Sequence, residues 1–359
     1  MDAIPKKKIT NLGDFILEDE PPLKDTIEEI QVSFPAKDGK AITAILSLPK
    51  DKPVTQKALF LHEIEGHKDG GTIRVISRRY ADMGIATLRI DFRGHGDRKD
   101  LWQEYSPQSM YNDSEDALNW LDERFPQIDK TMLCGFSTGG GIAILLRDME
   151  PERISKLCLL YPVLSFKYNF LAAVYPDDLL FPLEEWDAET PWRANEFTKE
   201  KMQASLQDDK PFSLIGHTYG AGFIKGCKDI IDRGLDIIDY ALAPDRPPMT
   251  IIQGTVDGFV PVSYARFLYG RAERGHRPIK YVEIMGMNHF VPRQYKPAVL
   301  EHFKNAALER PEDFKPEKEV VFIRVQTGFS SLHSQPQQPK DQDHEPAPGK
   351  YTHPLSAPP

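Results

Sequence analysis

The sequence predicts an α/β fold: a mostly parallel β-sheet flanked by helices, with one cap insertion. Short apolar segments alternate with segments of helical spacing from residue 57 to 162 and again from 249 to 308. Strands that alternate with helices need crossover connections, and such connections produce a parallel sheet. The alternation lapses between about 163 and 244, and a G-x-S-x-G motif lies at one junction between a strand and a helix. These observations predict a parallel sheet, built from alternating strands and helices, in which one inserted segment interrupts the alternation.

The amino-terminal half supports this prediction element by element. Residues 1–27 alternate charged residues with proline, which predicts an extension over the surface. Period-2 segments then lie on both sides of Asp38-Gly39, which is a hairpin signal. The strands predicted next are, in chain order, KALFLH, IATLRID, TMLCGF and KLCLLYP. The helices predicted between and beside them are TIRVISRRYADMG, MYNDSEDALNWLDERF and GIAILLRDME.

The carboxyl-terminal half resumes the series after the interruption. Residues 163–244 are rich in aromatic and acidic side chains, and we interpret them as a cap over the carboxyl edge of the sheet. MTIIQG and IKYVEIM predict the last strands, and SYARFLYGRAERG and PAVLEHFKNAAL predict helices. The core thus comprises 28–162 and 245–310. In the extension 311–359, EVVFIRVQ fits one more strand without an assigned place, and the chain from about 330 has too few apolar residues to fold.

Composition narrows the class of protein. The 359 residues are 40% hydrophobic and 28% charged, as in soluble globular proteins. A net charge of -9 disfavours a nucleic-acid surface, because phosphate binding needs clustered lysine and arginine. No apolar run approaches the ~20 residues of a membrane-spanning helix, and the first residues lack the apolar part of a secretory signal. Three scattered cysteines fit neither a disulfide framework nor a zinc site, so we expect a cytoplasmic protein with no metal or other cofactor.

The stretch CGFSTGGG, residues 134–141, could either cradle a phosphate or expose a nucleophile. The dinucleotide spacing G-x-G-x-x-G fails at Ser137, and no lysine follows the last glycine as it would in a P-loop. Residues 135–139 instead match G-x-S-x-G between a predicted strand and a predicted helix, which is the context of a nucleophile elbow. We therefore predict Ser137 as the nucleophile. The alternative is a glycine-rich turn whose serine caps the helix.

A nucleophilic serine needs a base, and the base needs an acid that orients it. After an elbow of this kind the acid and then the histidine follow late strands. Asp257 comes after MTIIQG and His289 after IKYVEIM, so we predict a catalytic triad of Ser137, His289 and Asp257. A turn aspartate and a solvated loop histidine are the alternatives. The backbone N–H groups of Thr138 and Ile64 are predicted to form the oxyanion hole.

These motifs together resemble the α/β-hydrolase superfamily, and more closely its cinnamoyl/feruloyl-esterase and serine-aminopeptidase-like branch. The similarity lies in LHEIEGHKDGG, RIDFRGHGDR, CGFSTGGG, IIQGTVDGFVP and GMNHF, and it extends over about 28–310. The resemblance implies the α/β-hydrolase fold and a hydrolytic triad, but no particular substrate. One position departs from the branch, because Glu63 follows His62 where glycine is usual. HEIEG is similar to the first loop of dienelactone hydrolases, which use a cysteine nucleophile.

Glu63 precedes the predicted oxyanion donor Ile64, and a carboxylate aimed at a developing oxyanion would oppose catalysis. We therefore expect its side chain to point away from the site and to pair with Arg93 or Arg98. The alternative follows from the similarity to dienelactone hydrolases: the carboxylate gates the nucleophile or contacts substrate.

Three further groups have weaker support. Three histidines in predicted loops near the site lack metal-ligand spacing: His62, His67 and His95. Four aromatic residues of the cap either line a pocket or form the cap's own core: Trp186, Trp192, Tyr168 and Phe170. QPQQP near the end matches a proline-rich ligand, although a solvated tail explains it more simply.

The predicted function is a serine hydrolase that cleaves an ester, thioester or amide of a small-molecule substrate through an acyl-enzyme. Acidic residues outnumber basic ones between 167 and 210, so we expect a neutral or aromatic acyl group. An acyltransferase with the same triad and a non-catalytic binding protein of the same fold are the alternatives.

Overall fold

A computed structural model describes residues 24–181, 197–214 and 217–323. Its strands are β1 (Ile27–Pro35), β2 (Ala41–Pro49), β3 (Gln56–Leu61), β4 (Ile85–Ile90), β5 (Thr131–Phe136), β6 (Ile154–Leu160), β7 (Phe212–Leu214), β8 (His217–Tyr219), β9 (Met249–Gly254), β10 (Ile279–Ile284) and β11 (Glu317–Val321). Its α-helices are α1 (Gly71–Asp82), α2 (Pro107–Arg124), α3 (Thr138–Met149), α4 (Phe166–Phe170), α5 (Lys199–Asp208), α6 (Gly222–Asp232), α7 (Ile237–Ala241), α8 (Val262–Arg274) and α9 (Lys296–Leu308).

Nine of these strands form one sheet in the order β1-β2-β4-β3-β5-β6-β9-β10-β11. β1 and β2 form the predicted antiparallel hairpin, and β2 also pairs antiparallel with β4. All neighbours from β4 to β11 are parallel. The predicted mostly parallel sheet flanked by helices is therefore confirmed.

Apolar side chains cover the sheet on both faces. β4, β5 and β9 are buried at every residue, as parallel strands between two helical layers must be. On one face the core is built from α2, α3 and α8, with Leu118, Ile142 and Leu268 as members. On the other face α1 and α9 pack through Ile76 and Phe303. This two-sided burial explains why the strands appear in the sequence as unbroken apolar runs.

The loops at the carboxyl ends of the parallel strands lie at one edge of the sheet, where ligands bind in open α/β folds. The loop after β3 contains Ile64, and Ser137 follows β5. Asp257 lies in the loop after β9, and His289 lies in the loop after β10. The topology thus brings the residues selected from the sequence to the same edge.

The segment between β6 and β9 contains α4 to α7 and the antiparallel pair β7–β8, which is separate from the main sheet. Tyr168 and Phe170 are buried, and their rings pack against Tyr264 and Phe223 at centroid distances of 4.7 and 4.9 Å. These two aromatic residues therefore belong to an apolar core. The other two, at 186 and 192, lie outside the described residues. We propose that this segment acts as the cap.

The strand that had no predicted place is β11. It pairs in parallel with β10 at the edge of the sheet and begins at Glu317, two residues before the segment recognised in the sequence. The N-terminal extension up to residue 23 and the tail from 324 onward lie outside the described residues. In the described ranges, no helix combines the length and the apolar character needed to cross a membrane.

Candidate active site

Ser137 occupies a sharp turn between β5 and α3. Its φ of +49° is a left-handed conformation that non-glycine residues adopt only when the surroundings enforce it. The flanking glycines allow close packing: a Cβ at Gly139 would lie 2.3 Å from Leu61 O, and one at Gly135 would lie 2.6 Å from Gly140 Cα. The Ser137 side chain makes no capping hydrogen bond to α3. The geometry is that of a strained elbow and not that of a helix cap.

Asp257 and His289 form a direct hydrogen bond. His289 Nδ1 lies 2.8 Å from Asp257 Oδ2 and 3.0 Å from Oδ1. The same carboxylate accepts hydrogen bonds from the N–H groups of Phe259 and Val260, both at 2.9 Å, and from the Gln253 amide at 3.1 Å. A carboxylate can only accept, so this arrangement assigns the proton to His289 Nδ1 and leaves Nε2 free to act as a base.

Aromatic rings pack against the His289 imidazole, and Phe290 is the most distant of them at 6.2 Å. The centroid of the Tyr161 ring is 4.1 Å away, and that of Phe259 is 5.0 Å away. Tyr161 directly follows β6 and has a φ of +39°, and the carbonyl of the preceding residue, Leu160, accepts a hydrogen bond from Ser137 N at 3.1 Å. The end of β6 therefore links the elbow to the histidine. Sequence reasoning missed Tyr161, because nothing in KLCLLYP distinguishes it from a core residue.

The two predicted oxyanion donors lie together. The Ile64 N–H donates to the Thr138 hydroxyl oxygen at 2.7 Å, and Thr138 is buried in the first turn of α3. The sequence did not predict this bond, which gives the Ile64 N–H a partner inside the protein. An oxyanion at this position would compete with the Thr138 hydroxyl for the Ile64 N–H.

Glu63 does not form the predicted ion pair. Arg93 and Arg98 both bind Asp113, at N–O distances of 3.0 and 2.7 Å. Asp113 is fully buried on α2, and a buried carboxylate needs cationic partners. The prediction that Arg93 or Arg98 pairs with Glu63 is therefore wrong, because the sequence did not show that Asp113 faces inward.

The Glu63 carboxyl instead lies within electrostatic reach of the proposed base. Burial raises the pKa of Glu63 above its usual range, while its own backbone N–H and the charges of His289 and His67 act in the opposite direction. The side chain also packs over Gly66, where a Cβ would lie 3.0 Å from Glu63 Cδ. A carboxyl group held in this way ionises at a cost to the folded state.

We expect the stability of Glu63→Gln to fall less than that of the parent as the pH rises from 5 to 8. A carboxyl whose pKa is raised by folding contributes stability below its ordinary pKa, and that contribution is lost as the pH rises through the folded-state pKa. Denaturant unfolding of parent and variant at both pH values measures the difference. Glu104→Gln is the matched control: Lys40 and Arg93 lower the pKa of Glu104, so its contribution is complete above pH 4.5 and the variant should lose the same stability at both pH values. A variant whose stability falls between pH 5 and pH 8 as much as that of the parent would contradict the expectation.

His62 and His95 are neutral structural residues. Burial lowers the pKa of each to about 3. His62 Nδ1 lies 2.7 Å from a backbone carbonyl oxygen, and His62 Nε2 accepts a hydrogen bond from a backbone N–H at 3.0 Å. His95 makes the same two contacts, through Nδ1 at 3.0 Å and through Nε2 at 3.3 Å. Both nitrogens of each ring are thus engaged. Among the described residues, no group of three His, Cys, Asp or Glu side chains is arranged to hold a metal ion.

Sequence reasoning also missed a group of side chains beside Ile64, of which two are buried and one is exposed. It consists of Glu65, which follows Ile64, together with His217 and Tyr219 of β8. HEIEG and HTYGAG both stand out in the sequence, but no periodicity or spacing connects two segments 154 residues apart.

Comparison with known proteins identifies a family model that covers most of the chain. The model described as serine aminopeptidase, S33 (Hydrolase_4) matches residues 66–290. An uncharacterised protein of Rickettsia prowazekii is 31% identical over 117 residues, which is 32% of this chain and about half, 48%, of that protein's length. The AB hydrolase superfamily protein YisY of Bacillus subtilis is 23% identical over 219 residues, which cover 57% of this chain and 75% of YisY.

Solved structures share the fold at low sequence identity. Est1E from Butyrivibrio proteoclasticus with bound ferulic acid has a TM-score of 0.57 and 18% identity, and the match covers 77% of this chain and all of that one. Brefeldin A esterase, a bacterial homologue of human hormone sensitive lipase, has a TM-score of 0.55 and 18% identity. The match covers 82% of this chain and 80% of that one. At this identity the similarity shows the fold alone.

Proposed function

We propose that this chain, which belongs to the serine aminopeptidase S33 family of α/β hydrolases, cleaves acyl bonds through a triad of Ser137, His289 and Asp257. The observation that carries the proposal is the 2.8 Å contact between His289 Nδ1 and Asp257 Oδ2 at the edge where Ser137 forms a strained elbow. The same contact leaves His289 Nε2 as the free base.

In the proposed reaction Ser137 Oγ attacks the carbonyl carbon of an ester, thioester or amide while His289 Nε2 takes the hydroxyl proton. Asp257 stabilises the imidazolium, and the N–H groups of Thr138 and Ile64 bind the oxyanion once the Thr138 hydroxyl has released the Ile64 N–H. The tetrahedral intermediate collapses, and the leaving group departs with the proton from His289. Water then attacks the acyl-enzyme by the same route, which releases the acid and regenerates Ser137.

Acidic side chains on the segment that we propose as the cap, together with Glu63, favour a neutral acyl group, and aromatic acyl groups belong to the class we propose. Asp177 and Asp178 are exposed on the segment between β6 and β9, and the Glu63 carboxyl lies close to His289. A carboxylate on the substrate would meet repulsion from these groups. The ferulic acid bound to Est1E contains an aromatic acyl group of this kind, although the 18% identity carries no argument beyond the fold.

We expect p-nitrophenyl butyrate to be hydrolysed with a kcat/KM roughly tenfold above that of p-nitrophenyl hemisuccinate, a difference of ~1.4 kcal/mol. The two substrates have similar acyl chains and differ in one carboxylate, and added salt should narrow the ratio. The first turnover should also give a burst of p-nitrophenolate stoichiometric with enzyme whenever deacylation is slower than acylation. A preference for the hemisuccinate would contradict the assigned substrate class. Binding of both esters without turnover would instead favour a non-catalytic binding protein.

A further inference from the structure

Glu65 presents a buried carboxyl group that the proposed reaction does not use. It follows Ile64, has a φ of +68° and is 5% exposed. Its Oε1 accepts a hydrogen bond from the Tyr219 hydroxyl. Its Oε2 lies 3.0 Å from His217 Nε2 but has no well-aligned hydrogen bond to any described residue. Both partner residues belong to β8, so this single side chain joins the segment between β6 and β9 to the loop after β3.

The surroundings of Glu65 favour the neutral acid over the carboxylate. The titratable groups that face it are Tyr219 and His217 from β8, His95 from the loop after β4, and Tyr105. No lysine or arginine in the described ranges forms an ion pair with it. Burial raises the pKa of Glu65 to about 8, although the hydrogen bond from Tyr219 acts in the opposite direction. At neutral pH the protonated carboxyl keeps Oε1 as the acceptor for the Tyr219 hydroxyl, and Oε2 lies 3.0 Å from His217 Nε2.

The same residue is part of the backbone that presents the proposed oxyanion donor. The Glu65 N–H donates to His95 Nε2 at 3.3 Å, and the Ile64 N–H donates to the Thr138 hydroxyl at 2.7 Å. The backbone at Ile64 and Glu65 is therefore held by Thr138, by His95 and by β8. The side chain of Glu65 supplies the contact from β8, and the ring of Tyr219 adds packing against His95 at a centroid distance of 5.7 Å.

We propose that Glu65, in its neutral acid form, is a positioning residue that ties β8 to the oxyanion loop, and that its ionisation weakens acyl transfer. The proposal rests on the proposed function and extends it by naming a group that controls the geometry of the oxyanion hole without touching the reacting atoms. Ionisation would place an unneutralised charge one residue from the oxyanion donor. It would also change the interaction of Oε2 with His217 Nε2, which lies 3.0 Å away on β8.

The test compares pH profiles of kcat for the full-length parent and Glu65→Gln with p-nitrophenyl butyrate, after subtraction of spontaneous hydrolysis. Glutamine has the shape of the neutral acid, so we expect a kcat within about threefold of the parent at pH 7. In the parent, kcat should fall roughly tenfold by pH 9, because about one molecule in ten then keeps the Glu65 proton. In Glu65→Gln this alkaline decline should be absent. Glu301→Gln, a change at an exposed carboxylate of α9 that pairs with Lys304, should keep the parent profile.

Tyr219→Phe provides a second variant if Glu65→Gln fails to fold. The Tyr219 hydroxyl lowers the pKa of Glu65, so its removal should move the alkaline decline to higher pH. A purely structural role for Tyr219 would lower kcat without moving the profile, and that result would overturn the proposal. The same is true of Glu65→Gln with an alkaline decline equal to that of the parent.

Thermal unfolding provides a readout that does not depend on activity. Since folding raises the pKa of Glu65 from its ordinary value to about 8, its stabilising contribution is complete below pH 4.5 and is lost as the pH rises through 8. The Tm of Glu65→Gln should therefore rise relative to the parent between pH 5 and pH 9. Equal pH dependence of the two Tm values would overturn the proposal. Full activity of Ser137→Ala would overturn the proposed function instead and would leave the Tm comparison intact.

Discussion

Ser137→Ala should lower kcat/KM for p-nitrophenyl butyrate by roughly 10⁴- to 10⁶-fold, because alanine has no oxygen that could attack the ester and form the acyl-enzyme. The substitution removes one oxygen from a residue that is 4% exposed, and the Ser137 side chain makes no capping hydrogen bond that would be lost. We therefore expect the Tm to change little. Initial-rate assays with purified protein measure kcat/KM, and thermal unfolding followed by circular dichroism measures the Tm and verifies the fold.

The matched control for this experiment is Ser114→Ala. Ser114 is a buried serine of α2 whose hydroxyl donates to Met110 O at 2.7 Å, away from the site. Its loss should cost some stability and leave kcat/KM within about twofold. If Ser137→Ala kept parental activity, Ser137 would not be the nucleophile.

Asp257→Asn should lower kcat/KM by about 10⁴-fold, because it should change the tautomer of the neutral His289 ring. The Asp257 carboxylate accepts from His289 Nδ1 and also from the N–H groups of Phe259 and Val260, which hold it in place. An asparagine that turns its NH₂ group toward His289 would require Nδ1 to accept, which puts the proton on Nε2. An imidazole in that tautomer cannot take the proton from Ser137.

Nitrogen NMR of the His289 ring tests this explanation separately from the rate. The parent should show a protonated Nδ1 and an unprotonated Nε2 at a pH where the ring is neutral, and the variant should show the reverse. A variant with kcat/KM within tenfold of the parent would rule out an orienting role for Asp257. A large loss of activity with an unchanged tautomer would require a different explanation for that loss.

The sequence alone was sufficient to predict the strands that are buried on both faces of the sheet. β5 and β9 coincide with TMLCGF and MTIIQG, because a strand covered by helices on both sides appears as an uninterrupted apolar run between polar turns. β11 could not be placed, because it is an edge strand with four exposed residues and one half-buried residue. A strand without a buried face leaves no periodicity to detect.

The site was predictable where the fold determines the chain order of its residues. The strand–turn–helix context of Ser137 and the positions of Asp257 and His289 after late strands require no knowledge of side-chain contacts. The structure brings Asp257 and His289 into contact, and their catalytic roles remain predictions. The resemblance to the α/β-hydrolase superfamily is confirmed by the family match over residues 66–290.

Contacts between distant segments were beyond the reach of the sequence. The sequence predicts that Glu63 pairs with Arg93 or Arg98, because those residues follow the neighbouring strand, yet the buried Asp113 of α2 binds both guanidinium groups. The group formed by Glu65 and Tyr219 spans 154 residues and has no local signature. Such pairs arise from packing between elements, and packing cannot be read from a single sequence.

The most direct test of the central claim is labelling with a fluorophosphonate probe, followed by peptide mapping. A serine becomes reactive toward such a probe when a neighbouring base activates its hydroxyl, so the reagent reports the nucleophile without any assumption about the natural substrate. We predict one adduct per chain, located on Ser137, with loss of esterase activity in proportion to labelling and no adduct in Ser137→Ala. Absence of labelling in active protein, or an adduct on a different serine, would contradict the account.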